Sequence, residues 1–257
     1  MSSSDQLQRV IFEQADIRSV LVGLEQSYQQ ALVRHHYPAL INTLLGEMMA
    51  AVSLLSATLK FDGRLILQAQ SDNQLKVLMA ECNHQRDLRA IARFDGDLPE
   101  QAEFCDLLAG GQLVITIEPE QGKRYQGVVP LEGKQLSNCL EAYFAFSEQL
   151  PTKIHLVADE HRAAGFMLQV MPAKGDSADD WEHFSCLAAT LSDDELLNLD
   201  NETILRRLFH EEDCRLFDAD ALQFKCDCSR KRTGDLHNEK IKPTIHLIKR
   251  NINTSKE

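Results

Sequence analysis

PALINTLLGEMMAAVSLLSATLKFDGRLILQA, residues 38–69, contains the change of period that decides the fold class. Pro38 suits the opening of a helix, where its missing amide hydrogen would have no partner. Ile41, Leu44, Leu45, Met48, Met49, Val52 and Leu55 then recur mainly at spacings of three and four, the period of one helix face. Asp62-Gly63 signals a turn, and Leu65 to Ala69 reads as a short alternating strand. A long core helix that runs directly into a strand is the expected centre of the domain.

The flanking sequence has the same mixed texture. On the amino-terminal side, Leu7 to Leu24 sets Val10, Ile11, Phe12, Ile17, Val20 and Val22 in near alternation, which predicts strands, and Glu25 to His35 turns helical. On the other side, Leu75 to Ala80, Leu88 to Phe94, Leu113 to Ile117 and Tyr125 to Val129 are short strands separated by polar turns. Leu136 to Gln149 reads as one amphipathic helix carrying Leu140, Tyr143, Phe144 and Phe146, and Lys153 to Val157 and Gly165 to Val170 add two strands. Runs of strands beside intermittent helices, without regular alternation, predict an α+β fold. Residues 1–175 are expected to form a compact core domain of mainly antiparallel strands with helices.

Beyond residue 175 the composition changes. Net charge is −12 overall and is unevenly divided, with −6 on residues 1–175, −11 on 176–220 and +5 on 221–257. The acidic stretch reads as helices over Asp179 to Thr190, Ser192 to Leu199 and Glu202 to His210, with Ser192 and Glu195 spaced as a capping box. Dense like charge opposes compaction, so 176–220 is expected to be a linker held in place by its neighbours, a plain solvated helical hairpin being the other reading. An acidic main body lacks a basic face for a phosphate backbone, so nucleic acid is not an expected partner. No apolar run is read as long enough to cross a bilayer, the longest candidates being broken by residues such as Lys60 and Gly63, so no membrane partner is expected either. Met1 to Gln8 is polar and lacks the pattern of an export signal, which predicts a cytoplasmic protein.

Seven cysteines, an odd number and mostly dispersed, do not form a secreted disulfide framework. Cys82, Cys105, Cys139, Cys186 and Cys214 each stand apart and are read as small buried hydrophobes. Cys226-Asp227-Cys228 differs, since two thiolates one residue apart can face one soft cation or be oxidised together. A tetrahedral zinc site needs four ligands, so this is half a site; Arg230, Lys231 and Arg232 would favour the thiolate form. Two incidental cysteines remain the simpler alternative. No nucleophile elbow, phosphate-cradling loop or dinucleotide fingerprint is present, and the histidines lack the paired spacing of a zinc protease, so no enzyme is predicted.

Six segments together resemble the 33 kDa chaperonins, the redox-regulated holdases of the bacterial cytosol. They are Leu54 to Gly63, Arg124 to Gly133, Ser147 to Thr152, Leu168 to Pro172, Leu208 to Glu212 and Phe224 to Arg230, in the right order over about residues 5–232. The resemblance implies an ATP-independent holdase that binds unfolded client proteins, commonly as a homodimer, with the linker lying on the core domain. It also implies a small zinc domain in which Cys226 and Cys228 supply the first pair of four cysteine ligands and oxidants convert both pairs to disulfides. Here the chain departs from the pattern, because Thr233 to Glu257 is basic and polar and contains no cysteine. Residues 221–257 therefore read as a remnant of the redox-switch domain, with zinc expected to be absent or weakly bound. His237 or His246 as substitute ligands, or one zinc shared by two chains, are the alternatives to a failed site. Two arrangements follow: a chaperone left permanently unlocked, or a linker that docks unaided through Leu187, Leu191, Leu196, Leu199, Ile204, Leu205 and Leu208. Two chains that exchange linker segments are a further possibility for the dimer. The rival from another class is a thiol-disulfide oxidoreductase using Cys226 and Cys228.

Overall fold

Two sheets face each other across one long helix. The computed structural model describes residues 5–33, 35–58, 62–171 and 178–225. All of these belong to one compact unit, Met1–Lys225, which includes residues 221–225; the other unit, Cys226–Glu257, lies outside the described residues.

The first sheet is built from β1 (Gln6–Phe12), β2 (Ile17–Leu24), β8 (Thr152–Ala158), β9 (Ala163–Val170) and the short β10 (Arg215–Leu216), in the order β10-β1-β2-β9-β8. A further short strand, β11 (Asp220–Ala221), also pairs with β1. The second sheet contains β3 (Gly63–Gln70), β4 (Leu75–Asn83), β5 (Asp87–Phe94), β6 (Gln112–Pro119), β7 (Tyr125–Val129) and β12 (Gln223–Phe224), in the order β12-β5-β4-β3-β6-β7. All pairings are antiparallel except that of β12 with β5. The expected α+β class and the mainly antiparallel strands are both present.

The helix α2 (Ala39–Ser56) packs against β2, β8 and β9 on one side and β3, β4 and β5 on the other. Its apolar residues therefore need to face both ways, and Ile41, Leu45, Met48, Met49, Val52 and Leu54 are all fully buried. This corrects the sequence expectation on membrane spans, since α2 has the length and apolarity to cross a bilayer, with mean hydropathy 1.5. Its burial between two sheets accounts for that composition without a lipid phase. The approach is tight at Gly46, where a Cβ would stand 2.6 Å from the Ala158 side chain and 3.0 Å from those of Ala163 and Tyr28.

Helix α1 (Gln26–Val33) is started by a buried carboxyl group. Asp5 accepts from the backbone N–H of Glu25 at 2.6 Å and of Ser27 at 2.9 Å, satisfying amides that the first helical turn leaves without partners. The helix expected over Leu136 to Gln149 is instead α4 (Leu136–Tyr143) followed by a wider π turn over Phe144–Glu148, which ends at Gln149 in the left-handed region. The extra residue in that turn rotates the apolar stripe, so Phe144 is buried whereas Phe146 is 69% exposed.

Candidate functional site

Strand β9 is buried along its whole length, on both faces. Ala163 and Met167 point to the central core, whereas Ala164, Phe166 and Leu168 point outward into a second apolar cluster with Val10, Phe12, Ile17 and Leu21. An antiparallel sheet commonly leaves one face in water, so something must cover this one. The cover consists of α5 (Ala178–Ala188), α6 (Asp193–Asn198) and α7 (Asn201–Phe209), the acidic helices of the linker.

Each helix is set by a local rule. Ser192 Oγ accepts from Glu195 N–H while the Glu195 carboxylate accepts from Ser192 N–H, completing the expected capping box of α6. Asp200 accepts from Thr203 N–H at 2.9 Å to start α7. Along α7, Ile204, Leu205, Leu208 and Phe209 form one buried stripe, with Arg206 and Arg207 exposed at its carboxy-terminal end.

The linker lies docked on the first sheet, through residues expected from sequence. Leu191, Leu196, Ile204, Leu205 and Leu208 are buried in the outer cluster, and Leu187, Leu199 and Trp181 pack at its margin. Its centre, however, is aromatic. Phe12 of β1 lies 4.7 Å from Phe184 of α5 and 4.9 Å from Phe209 of α7, and Phe209 also stacks on Phe184 at 5.5 Å and Phe166 at 6.5 Å. Phe184 and Phe209 were not among the docking residues expected from sequence. Their spacing from Ala188 and Leu205, four residues in each case, is the signal that places them on the buried faces.

Polar contacts fasten the cover at its rim. His155 of β8 meets Asp193 at 2.6 Å, His183 meets Glu212 at 2.8 Å, and Arg162 donates to the Asn198 side chain at 3.3 Å. Beneath α6, Glu47 of α2 is pushed up to about 7, first by burial and then by the neighbouring charge of Asp193. After α7 the chain returns to both sheets through β10, β11 and β12. Arg86 fixes this return by donating to Asp220 at 2.8 Å and to Ser56 Oγ at 2.9 Å, and Asp87 accepts from Gln223 at 2.7 Å and Lys225 at 3.0 Å.

Cys226 and Cys228 lie outside the described residues, as do His237 and His246. Among the described residues no three His, Cys, Asp or Glu side chains come together as a metal site. Cys82 and Cys139 are buried, in keeping with their reading as small hydrophobes. Cys186 and Cys214 are exposed, which corrects that reading; Cys186 follows Phe184 by two residues and so falls away from the docked face of α5.

Residues 5–236 match the profile of the Hsp33 protein family. The chain is 48% identical over 238 residues to the 33 kDa chaperonin of Pseudomonas fluorescens (strain Pf0-1), covering 90% of this chain and 79% of that protein. It is 49% identical over 246 residues to the 33 kDa chaperonin of Shewanella sediminis (strain HAW-EB3), covering 96% and 86%. The chain belongs to the Hsp33 family. The crystal structure of the 33 kDa chaperonin from Thermotoga maritima shares the fold, with a TM-score of 0.78 over 91% of this chain and 84% of that one at 19% identity. Hsp33 relatives are named chaperonins and not enzymes, so the function is that of a molecular chaperone, a protein that binds clients. The oxidoreductase reading is set aside on the same ground.

Proposed function

We propose that this Hsp33 protein is an ATP-independent holdase whose client surface is the outer face of the first sheet, and that the linker is its movable cover. The observation that carries the reading is the double-sided burial of β9 beneath helices that are amphipathic, acidic and short. Removing α5–α7 would bare a contiguous apolar face around Phe12, Ile17, Leu21, Phe166 and Leu168, and a patch of this kind suits binding to unfolded chains. Short helices owe their stability to packing, so undocking and loss of helix are coupled.

In this reading the resting protein is closed, and oxidants act in the cytoplasm through Cys226 and Cys228. Zinc, where held, would add folding energy to residues 226–257. Cys226 and Cys228 provide two of the four donors such a site needs. Opening of the cover by two chains at once would favour a homodimer that shares or exchanges linkers.

Light scattering of a chemically unfolded client, diluted into buffer with this protein, tests the proposal. Weak suppression of aggregation in reducing buffer and strong suppression after peroxide are expected. Equal strong suppression in both would show a chain that is open without oxidation, and absence of suppression in both would overturn the holdase reading.

A further inference from the structure

We propose that Cys105 and Cys139 form a second redox site, a peroxide-sensitive dithiol within the core unit that closes reversibly to a disulfide joining two helices. This goes beyond the reading above, since it uses neither Cys226 nor Cys228.

Cys105 lies on the short helix α3 (Phe104–Leu107) and Cys139 on α4, and their sulfurs are 3.4 Å apart. The two helices are held in register by shared packing, as Phe104, Leu107, Leu136, Cys139 and Leu140 all belong to the central core. The connecting backbone adds to the fixation: Cys105 N–H donates to the Lys134 carbonyl at 3.2 Å, and the Cys139 thiol donates to the Glu132 carbonyl at 3.4 Å. A disulfide requires an approach to about 2.05 Å, a side-chain movement rather than a change of fold.

The environments divide the roles. Cys105 is partly exposed and reachable by a small oxidant, whereas Cys139 is buried. Burial and the adjacent sulfur push the Cys139 thiol up to about 12, so it stays protonated. The Cys105 thiolate attacks a hydroperoxide oxygen, the O–O bond breaks, and Cys105 becomes a sulfenic acid while the leaving oxygen departs as water or an alcohol. The Cys139 sulfur then attacks the sulfenic sulfur; the S–S bond forms, the S–O bond breaks, and the Cys139 proton leaves with the hydroxyl as water. Two thiols are oxidised by two electrons in total, and the peroxide is reduced by the same two.

The test is peptide mapping of the full chain after hydrogen peroxide treatment and alkylation. Trypsin cleaves after Lys123, Arg124 and Lys134, so the peptides bearing Cys105 and Cys139 separate unless they are bonded. The expected product is one linked pair, lighter than the sum of its peptides by two hydrogens and released by dithiothreitol. It is absent from Cys105→Ser and retained in Cys226→Ser/Cys228→Ser, whatever the holdase assay shows. Recovery of both residues as alkylated thiols, a sulfinic acid at Cys105 beside a free Cys139, or linkage of Cys139 to Cys226 or Cys228 would each overturn the proposal.

Discussion

Phe209 is the side chain on which the cover turns, because it touches Phe12, Phe166 and Phe184 together. Phe209→Ala leaves a void among rings that cannot easily collapse, and a loss of about 3 kcal/mol from docking is expected. Trp181 emission should shift to the red and amide exchange rise across 178–209, while α2 stays protected. Glu47 gives a pH dependence of definite sign. Its carboxyl titrates near 7 when covered and near 4.5 when free, so below pH 4.5 it is neutral in both states and places no burden on the fold. As pH rises through 7 it must ionise in a poorly solvated place beside Asp193, and stability is lost by on the order of 3 kcal/mol. Urea midpoints of Glu47→Gln should accordingly fall less than those of the parent between pH 5 and pH 8. Only the first effect has a signal in one dimension. The stripe on α7 can be read from spacing, but nothing in the order of residues brings Glu47 to Asp193 or Cys105 to Cys139.

At the scale of elements, local rules were legible and those involving partners were not. The period of α2, the alternation of β1 and β2 and the capping box of α6 all lie within a few residues of one another, and the structure shows each of them. The capping box is exposed, so its loss should be modest: Ser192→Ala is expected to weaken the cover by about 1 kcal/mol, measured as an earlier Trp181 transition in urea. The π turn at Phe144–Glu148 was missed because its period differs from that of a helix by less than a short window can resolve. The short strands β10, β11 and β12 were missed for another reason. Two-residue strands have no period, and they exist only because β1 and β5 offer free edges.

For the molecule as a whole, family and fold were readable from the six matched segments, whereas the proposed switch falls on residues 226–257, outside the described residues. With two cysteines in that stretch, metal analysis of the purified reduced chain is expected to return well under one zinc per chain, and a full equivalent that is released by peroxide would contradict this. Charge sets a further condition, since the linker carries −11 and the tail +5.

The linker is anchored at both ends. Before it, Met171 N–H donates to the Asp16 carbonyl; after it, β10 pairs with β1. An undocked linker therefore cannot diffuse away, and it remains an internal ligand for the face it left, at an effective concentration on the order of millimolar. If clients bind that face, as proposed, each must displace a tethered competitor that is always present. On the proposed holdase reading, a competitor that regains its affinity evicts the client by mass action, and that release would need no nucleotide.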